Sequence, residues 1–238
     1  MTPLQVVAAT LTVTLGATLQ GSIGFGLGLF SVPILLLIEP DFIPAPLLLA
    51  SVALTLLLTH RERHTIIWGD LKWALGGRIA GIALAALLLV VVPADRFAIP
   101  AGVLVLGAVG LSASGLHLPP RPRTLVGAGV LSGLLGTAVS IGGPPMALIY
   151  QRESGPRLRG TLSAFFVIGV ALSLIGLRVA GRFDLGDVLL AATLVPGILV
   201  GFAISRYTAH RLDRGFTRPA VLIVSAVASL LVILRHVL

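Results

Sequence analysis

The sequence predicts an all-α integral membrane fold, and three observations carry that reading. Of 238 residues, 56% are hydrophobic and only 11% are charged, whereas a soluble domain is about 25% charged. Apolar runs long enough for spanning helices, about 17–25 residues each, recur from end to end. The arginines gather in short loops between those runs, the pattern of a chain that threads a bilayer. Mean hydropathy is +1.06, and no hydrophilic stretch is long enough to form a second, soluble domain.

Six runs read as full crossings: residues 42–59, 72–92, 97–115, 161–179, 185–204 and 217–235. Two further regions are apolar but broken. Residues 1–38 are interrupted by Gly21-Ser22-Ile23-Gly24-Phe25-Gly26-Leu27-Gly28, and residues 124–150 by Ser140-Ile141-Gly142-Gly143-Pro144-Pro145. Two spans need about 40 residues, so the second region is too short to cross twice. It is expected to enter, turn and leave on one side. The first is longer, a re-entrant hairpin or two tilted crossings, and returns to its starting side either way. Residues 1–19 hold no Lys or Arg and so lack the basic start of a cleavable signal peptide; the first apolar run is expected to be kept as structure.

Charge tests the parity. With the N-terminus outside, the inner loops hold Arg61, Arg63, Lys72, Arg78, Arg121, Arg123, Arg152, Arg157, Arg159, Arg206, Arg211, Arg214 and Arg218, leaving Arg96, Arg178, Arg182 and Arg235 outside. Thirteen of the 17 basic residues thus face inward, as the positive-inside rule asks. A single crossing at 124–150 would largely erase that bias. The expected topology is therefore N-out and C-out, in a multi-pass protein of the cell (inner or plasma) membrane. It divides near Pro119 into residues 1–118 and 119–238, two repeats of one membrane domain, each a broken hairpin followed by three transmembrane helices. Three crossings are odd, so the second repeat is inverted, a plan common among secondary transporters. Ser22-Ile23-Gly24 recurs as Ser140-Ile141-Gly142.

Irregular backbone inside a bilayer is tolerated only where protein buries it or it lines a wet cavity. The two breaks are therefore the candidate site. Glycine permits a sharp turn that exposes N–H groups. A helix restarting near Leu27 and another near Pro145 would each present free N–H donors and partial positive charge to an anion. Substrate-binding candidates are Gln20, Gly21, Ser22, Gly24, Phe25 and Gly26 in the first break, and Thr137, Ser140, Gly142, Gly143 and Pro144 in the second. The hydroxyls of Ser22 and Ser140 would complete the cradle. The plainer alternative is that glycine permits tight helix packing and serine bonds its own backbone. Two related breaks in corresponding positions favour the site.

All nine acids lie in loops or at helix ends. Carboxylate-based cation sites and proton relays need an intramembrane acid, so the pattern fits an anion path. Arg78 has two readings: an interfacial arginine that snorkels, which is the commoner behaviour, or a cation in the cavity. The five histidines sit at loops or ends without ligand spacing, and Cys is absent; no metal site and no cofactor is expected. The net charge of +8 is spread over loops rather than on a folded face, which argues against nucleic acid. Gly77-Arg78-Ile79-Ala80-Gly81 and Gly197-Ile198-Leu199-Val200-Gly201 are GxxxG patterns for close helix contact, within one chain or between two copies in a homodimer. The expected partners are a small anion and the lipid bilayer.

Two other classes compete. An intramembrane serine hydrolase needs G-x-S-x-G and a base, but both serine breaks lack the first glycine and no histidine lies mid-span. A non-transporting membrane scaffold or sensor has no need of two polar breaks in an apolar core.

Gly21-Ser22-Ile23-Gly24-Phe25-Gly26-Leu27-Gly28-Leu29-Phe30-Ser31-Val32-Pro33 resembles the first signature of the TauE/SafE family of sulfite and organosulfonate exporters. Gly136-Thr137-Ala138-Val139-Ser140-Ile141-Gly142-Gly143-Pro144-Pro145 resembles the second, and Arg159-Gly160-Thr161-Leu162-Ser163 resembles the segment that opens the following helix. The resemblance implies a secondary transporter, not an enzyme, that carries sulfite, sulfoacetate or related sulfonates by alternating access between the two glycine-rich breaks. Phe25 and Leu27 stand where the family often has unbroken glycine, and Pro144-Pro145 where more glycine is common.

Overall fold

Capping residues set where the helices begin and end. Thr2 opens α1 (Pro3–Ile23) through a reciprocal box with Gln5: Gln5 N–H donates to Thr2 Oγ1 (3.3 Å), and Thr2 N–H donates to Gln5 Oε1 (2.7 Å). Such a box satisfies two donors that a helix start leaves without partners. Gly24, at φ 93°, closes the helix in the left-handed region that only glycine enters without strain. The chain continues as α2 (Leu27–Ile38), α3 (Ala45–Arg61), α4 (Trp68–Val91), α5 (Ala98–Ala113), α6 (Pro122–Val139), α7 (Gly143–Tyr150), α8 (Gly155–Val179), α9 (Leu185–Leu212) and α10 (Thr217–Val237). This computed structural model describes residues 1–93, 96–212 and 217–237, without the side chains of 210–219 and 236–237; no strand occurs among the described residues. Asp95, His210, Arg211, Asp213, Arg214, Arg218 and His236 lie outside the described side chains.

Among the described residues, four helices are long and apolar enough to cross a membrane: Pro3–Ile23, Trp68–Val91, Gly155–Val179 and Leu185–Ala209. Two of the six expected crossings fall instead on shorter apolar helices. Residues 42–59 become α3 with 17 residues and 97–115 become α5 with 16, whereas 217–235 fall within the 21 residues of α10. At 1.5 Å per residue, 16–17 residues reach about 25 Å, less than the roughly 30 Å of a hydrocarbon core. Pro44 and Pro46 hold the start of α3 back from residue 42. Conversely, α8 begins six residues before the expected 161, because Pro156 suits the first helical turn and the polar residues Arg157 and Arg159 extend the helix beyond its apolar window.

Tertiary hydrogen bonds sort the loops to two ends. At one, Gln5 Nε2 donates to Ile38 O (3.2 Å), Arg235 Nη1 donates to Leu37 O (3.1 Å), and Arg182 donates to the carbonyls of Leu89 and Val92. At the other, Arg61 and Arg159 meet Glu62, Thr65 Oγ1 donates to Pro156 O (2.9 Å), and Gln151 Nε2 donates to Leu116 O (2.6 Å). Residues 5 and 235 thus share one end, the parity that the arginine distribution asks for. Leu116 and Gln151 lie side by side, so α6 and α7 leave and return at the same end.

The tightest packing lies between α4 and α6 and between α1 and α9, and the GxxxG glycines make both. A Cβ on Gly77 or Gly81 would strike the carbonyl oxygens of Val126 and Val130, and one on Gly129 or Gly133 those of Ala74 and Arg78. On α9, a Cβ at Gly197 or Gly201 would come within 2.6 and 2.5 Å of Thr10 O and Thr14 O. These glycine contacts are made inside one chain, with backbones close enough that no side chain fits between them.

Replacing Gly81 with Ala should therefore force α4 and α6 apart, a cost of about 1–3 kcal/mol for overpacking. Gly107 faces open space, so Gly107→Ala should be neutral or gain up to about 1 kcal/mol of helix propensity. Melting temperatures of the two purified variants in detergent check this; an equal loss in both would contradict it.

Candidate functional site

The two breaks meet. Gly24 ends α1 and Gly26, at φ 127°, precedes α2; Ser140, at φ 58°, ends α6 and Gly142 precedes α7. A Cβ on Gly28 would overlap the Ser140 carbonyl, and one on Gly143 would sit 2.8 Å from Phe25 Cβ. By their geometry, Gly24 pairs with Ser140 and Gly26 with Gly142. The sequence match of Ser22-Ile23-Gly24 to Ser140-Ile141-Gly142 is therefore out of step by two residues. Its physical reason is that α1 stays helical through Ser22 and Ile23, whereas α6 stops at Val139.

A cavity of about 40 Å³ lies at this meeting point. That exceeds the roughly 10–15 Å³ one water needs. Gln20, Gly26, Ser140, Gly142, Gly143, Pro144 and Arg78 line it, together with the first turn of α2, Ser51 and Thr55 on α3, and Phe166 and Val170 on α8. First-turn N–H groups of a helix have no intrahelical acceptor; beside this space α2 has those of Leu27, Gly28 and Leu29, whereas α7 has that of Gly143 alone, since Pro144 and Pro145 carry no N–H. One of these is already taken: Leu27 N–H donates to Gln20 Oε1 (3.3 Å).

The remaining sequence candidates lie elsewhere. Ser22 is fully buried in the last turn of α1, where its Oγ donates to Thr18 O (2.7 Å) and shares a hydrogen bond with Thr208 Oγ1 (2.8 Å). It does not line the cavity, nor do Gly21, Gly24, Phe25 and Thr137. Gly21 and Gly24 are packing positions against Ser205 and Arg159. Ser140 does line it, but its Oγ donates to Pro44 O (2.9 Å). Pro44 and Ala45 also border a recess of about 680 Å³ lined by Glu39, Asp41, Arg182, Asp184 and Asp187. The first turn of α3 thus separates the cavity from the recess, and Ser140 ties that turn in place.

Arg78 does not snorkel. It is only 1% exposed, held from three sides. Nη1 donates to Ser132 Oγ (3.1 Å) on α6, and Nη2 donates to Ser173 Oγ (3.4 Å) on α8. The guanidinium lies 4.8 Å from the ring centre of Phe165 and 5.9 Å from that of Phe166, contacts worth about 2 kcal/mol when desolvated. Nε has no hydrogen-bond partner, and among the described residues no carboxylate pairs with Arg78. Gly169 makes the slot, since a Cβ there would overlap Arg78 Nε. Two short relays connect this cation to the second break: Ser132 Oγ donates to Gly142 O (2.6 Å), and Thr137 Oγ1 donates to Ser173 Oγ (2.8 Å). Thr137 thus acts on the site through Ser173.

Ser132, Phe165, Gly169 and Ser173 were absent from the sequence reading. Their signal is the spacing of small and hydroxyl residues four apart, Ser132 with Gly136 and Gly169 with Ser173, which on two helices leaves room opposite one arginine.

The first break is anchored differently. Arg61 Nη2 donates to Gly21 O (2.6 Å) and Arg159 Nη1 to Ser22 O (3.0 Å), so two guanidiniums take carbonyls that the end of α1 leaves without partners. Glu62 Oε1 accepts from both, each at 3.1 Å. The Arg159-Gly160-Thr161 segment docks α8 here. A Cβ on Gly160 would stand 3.0 Å from Glu62 O, and Thr161 Oγ1 accepts from Ile67 N–H (3.1 Å).

Apolar helices of membrane-crossing length, packed around a small cavity with an arginine and no acid in its lining, define the class as an integral membrane protein. The comparison with known families narrows this. Residues 9–232 match the family described as Sulfite exporter TauE/SafE, and the chain belongs to that family. Its members are membrane exporters of sulfite and related anions, transporters rather than enzymes. No curated protein and no solved structure matches the chain.

Ser140 supplies a test of the break itself. A non-glycine residue in the left-handed region costs about 1–2 kcal/mol. Ser140→Ala keeps that cost and loses the bond to Pro44, whereas Ser140→Gly loses the bond but relieves the strain. The glycine variant should melt at the higher temperature of the two; the reverse order would contradict the assigned backbone geometry.

Proposed function

We propose that the protein is a secondary transporter for small sulfur-containing oxyanions, sulfite, sulfoacetate or related organosulfonates, with the anion held between the two breaks and beside Arg78. The observation that carries this reading is a buried guanidinium with no carboxylate partner among the described residues, since a buried charge is costly unless something of opposite sign comes to it. The donors available are Arg78, the N–H groups of Gly28 and Leu29 on α2 and that of Gly143 on α7, with Gln20, Gly26, Ser140, Gly142 and Pro144 shaping the space. The small size of the cavity, about 40 Å³, favours sulfite over the larger sulfoacetate.

The chain acts as two inverted repeats, 1–118 and 119–238, that rock or gate around the anion. Matching partners support this division: α4 packs its glycines on α6 as α9 packs its glycines on α1. Two ties would have to break in turn. Toward the recess, Ser140 releases Pro44 and the first turn of α3 moves. Toward the other end, α1 shifts against Arg61, Glu62 and Arg159. With N-out topology the recess faces outward and the arginine-rich end faces the cytoplasm of a cell-membrane protein.

Flux of labelled sulfite and sulfoacetate into proteoliposomes tests the proposal, with chloride and an amino acid as controls. Saturable flux of a sulfur oxyanion is expected, with kcat/KM lowered at least about thirtyfold in Arg78→Gln, the scale of losing one side of a buried charge pair. Gly169→Ala, which crowds the guanidinium, should also lower it. Absence of flux from folded, inserted protein would turn the weight to the scaffold or sensor reading.

A further inference from the structure

We infer that the site takes its substrate as a monoanion, so that a dibasic oxyanion such as sulfite enters singly protonated. This rests on the transport reading above and narrows it: singly protonated sulfite and simple sulfonates obey the rule, whereas sulfoacetate, a dianion at neutral pH through its added carboxylate, is disfavoured. The rule comes from counting fixed charge around the cavity.

Arg78 is the one ionisable residue among those lining the cavity. The helix ends add little net charge. Each break sets a C-terminus beside an N-terminus, α1 against α2 and α6 against α7. Their partial charges, about −0.5 and +0.5, cancel to first order. The neighbouring guanidiniums are committed elsewhere. Arg61 and Arg159 share Glu62 and serve the carbonyls of Gly21 and Ser22, and neither lines the cavity. One fixed positive charge therefore awaits the substrate. A monoanion makes the site neutral, whereas a dianion leaves one negative charge buried without a partner, the costly case.

The walls point the same way. Leu29, Leu47, Leu48, Phe166 and Val170 present apolar surface to the ligand. A sulfonate monoanion sets its organic substituent there, and a singly protonated oxyanion gives up less hydration than a dianion. A permanent monoanion reports any titration of the protein itself, so sulfite is compared with one. From α1, α2, α3, α6, α7 and α8 no ionisable side chain lines the cavity; Asp70 lies at Tyr150 (3.1 Å), and Asp41 and Asp187 line the separate recess. A pH dependence of sulfite binding absent for a permanent monoanion must then come from the substrate.

The experiment is ligand-induced thermal stabilisation of the purified, intact protein, titrated at pH 6, 7, 8 and 9 (about one-unit steps) with sulfite, methanesulfonate and sulfate. Methanesulfonate is a monoanion throughout, sulfate is a dianion throughout, and sulfite loses its second proton near neutral pH. Methanesulfonate affinity should stay flat. The apparent Kd for total sulfite should rise about tenfold per pH unit above its second ionisation, because the monoanion fraction falls by that factor. Sulfate should bind at least about thirtyfold more weakly than methanesulfonate. Sulfite affinity that rises with pH, or sulfate bound as tightly as methanesulfonate, would overturn the charge rule while leaving the transport reading intact. Binding of none of the three by folded protein would overturn both.

Discussion

Removing a guanidinium from water costs several kcal/mol even after the surroundings relax, and Arg78 carries that cost at 1% exposure with no carboxylate beside it. The packing around it reads as the set of conditions under which this is tolerable. Gly169 leaves a slot on α8, Ser132 and Ser173 accept from two of the nitrogens, and Phe165 and Phe166 supply ring faces. For α4 to bring Arg78 to that slot it must lie almost in contact with α6, and four glycines across that interface allow it.

The breaks depend on the same arrangement. Interrupting a helix inside a membrane exposes carbonyls at one side of the gap and N–H groups at the other. The carbonyls of the first break are taken by Arg61 and Arg159, and the Gly142 carbonyl of the second by Ser132. With the acceptors satisfied and the opposed helix ends offsetting each other in charge, the guanidinium of Arg78 is the one full charge among the residues lining the cavity. A positive lining accords with the membership of the chain in a family of anion exporters.

Much of the helical architecture was legible in the sequence because its causes are local. Apolar runs mark helices, Gly24 and Gly142 mark breaks, and arginine placement marks which loops share an end. The lengths of α3 and α5 were not, because prolines and polar ends trim or extend helices without changing the hydropathy of the window. The first break misled in register: Ser-Ile-Gly occurs in both halves, but where a helix stops depends on the contacts waiting for it, and Ser22 found Thr18 and Thr208 inside α1's packing. Arg78 was ambiguous for a related reason. Whether an arginine one or two turns inside a span reaches the interface or a cavity depends on the rotation of its helix against two others. Glycines at 77 and 81 bear on that rotation, but their meaning needs Gly129 and Gly133 opposite them, some fifty residues later in the chain.

The central claim is that Arg78 is kept for an anion and not for the fold. Thermal unfolding of Arg78→Met beside the wild type, with and without methanesulfonate, tests it most directly. The account predicts that without anion the variant is as stable as the wild type or more so, since an apolar side chain of similar length removes the buried charge. Addition of the anion then raises the melting temperature of the wild type alone. A variant that is much less stable without anion, and still gains from it, would contradict the account and make Arg78 a structural residue.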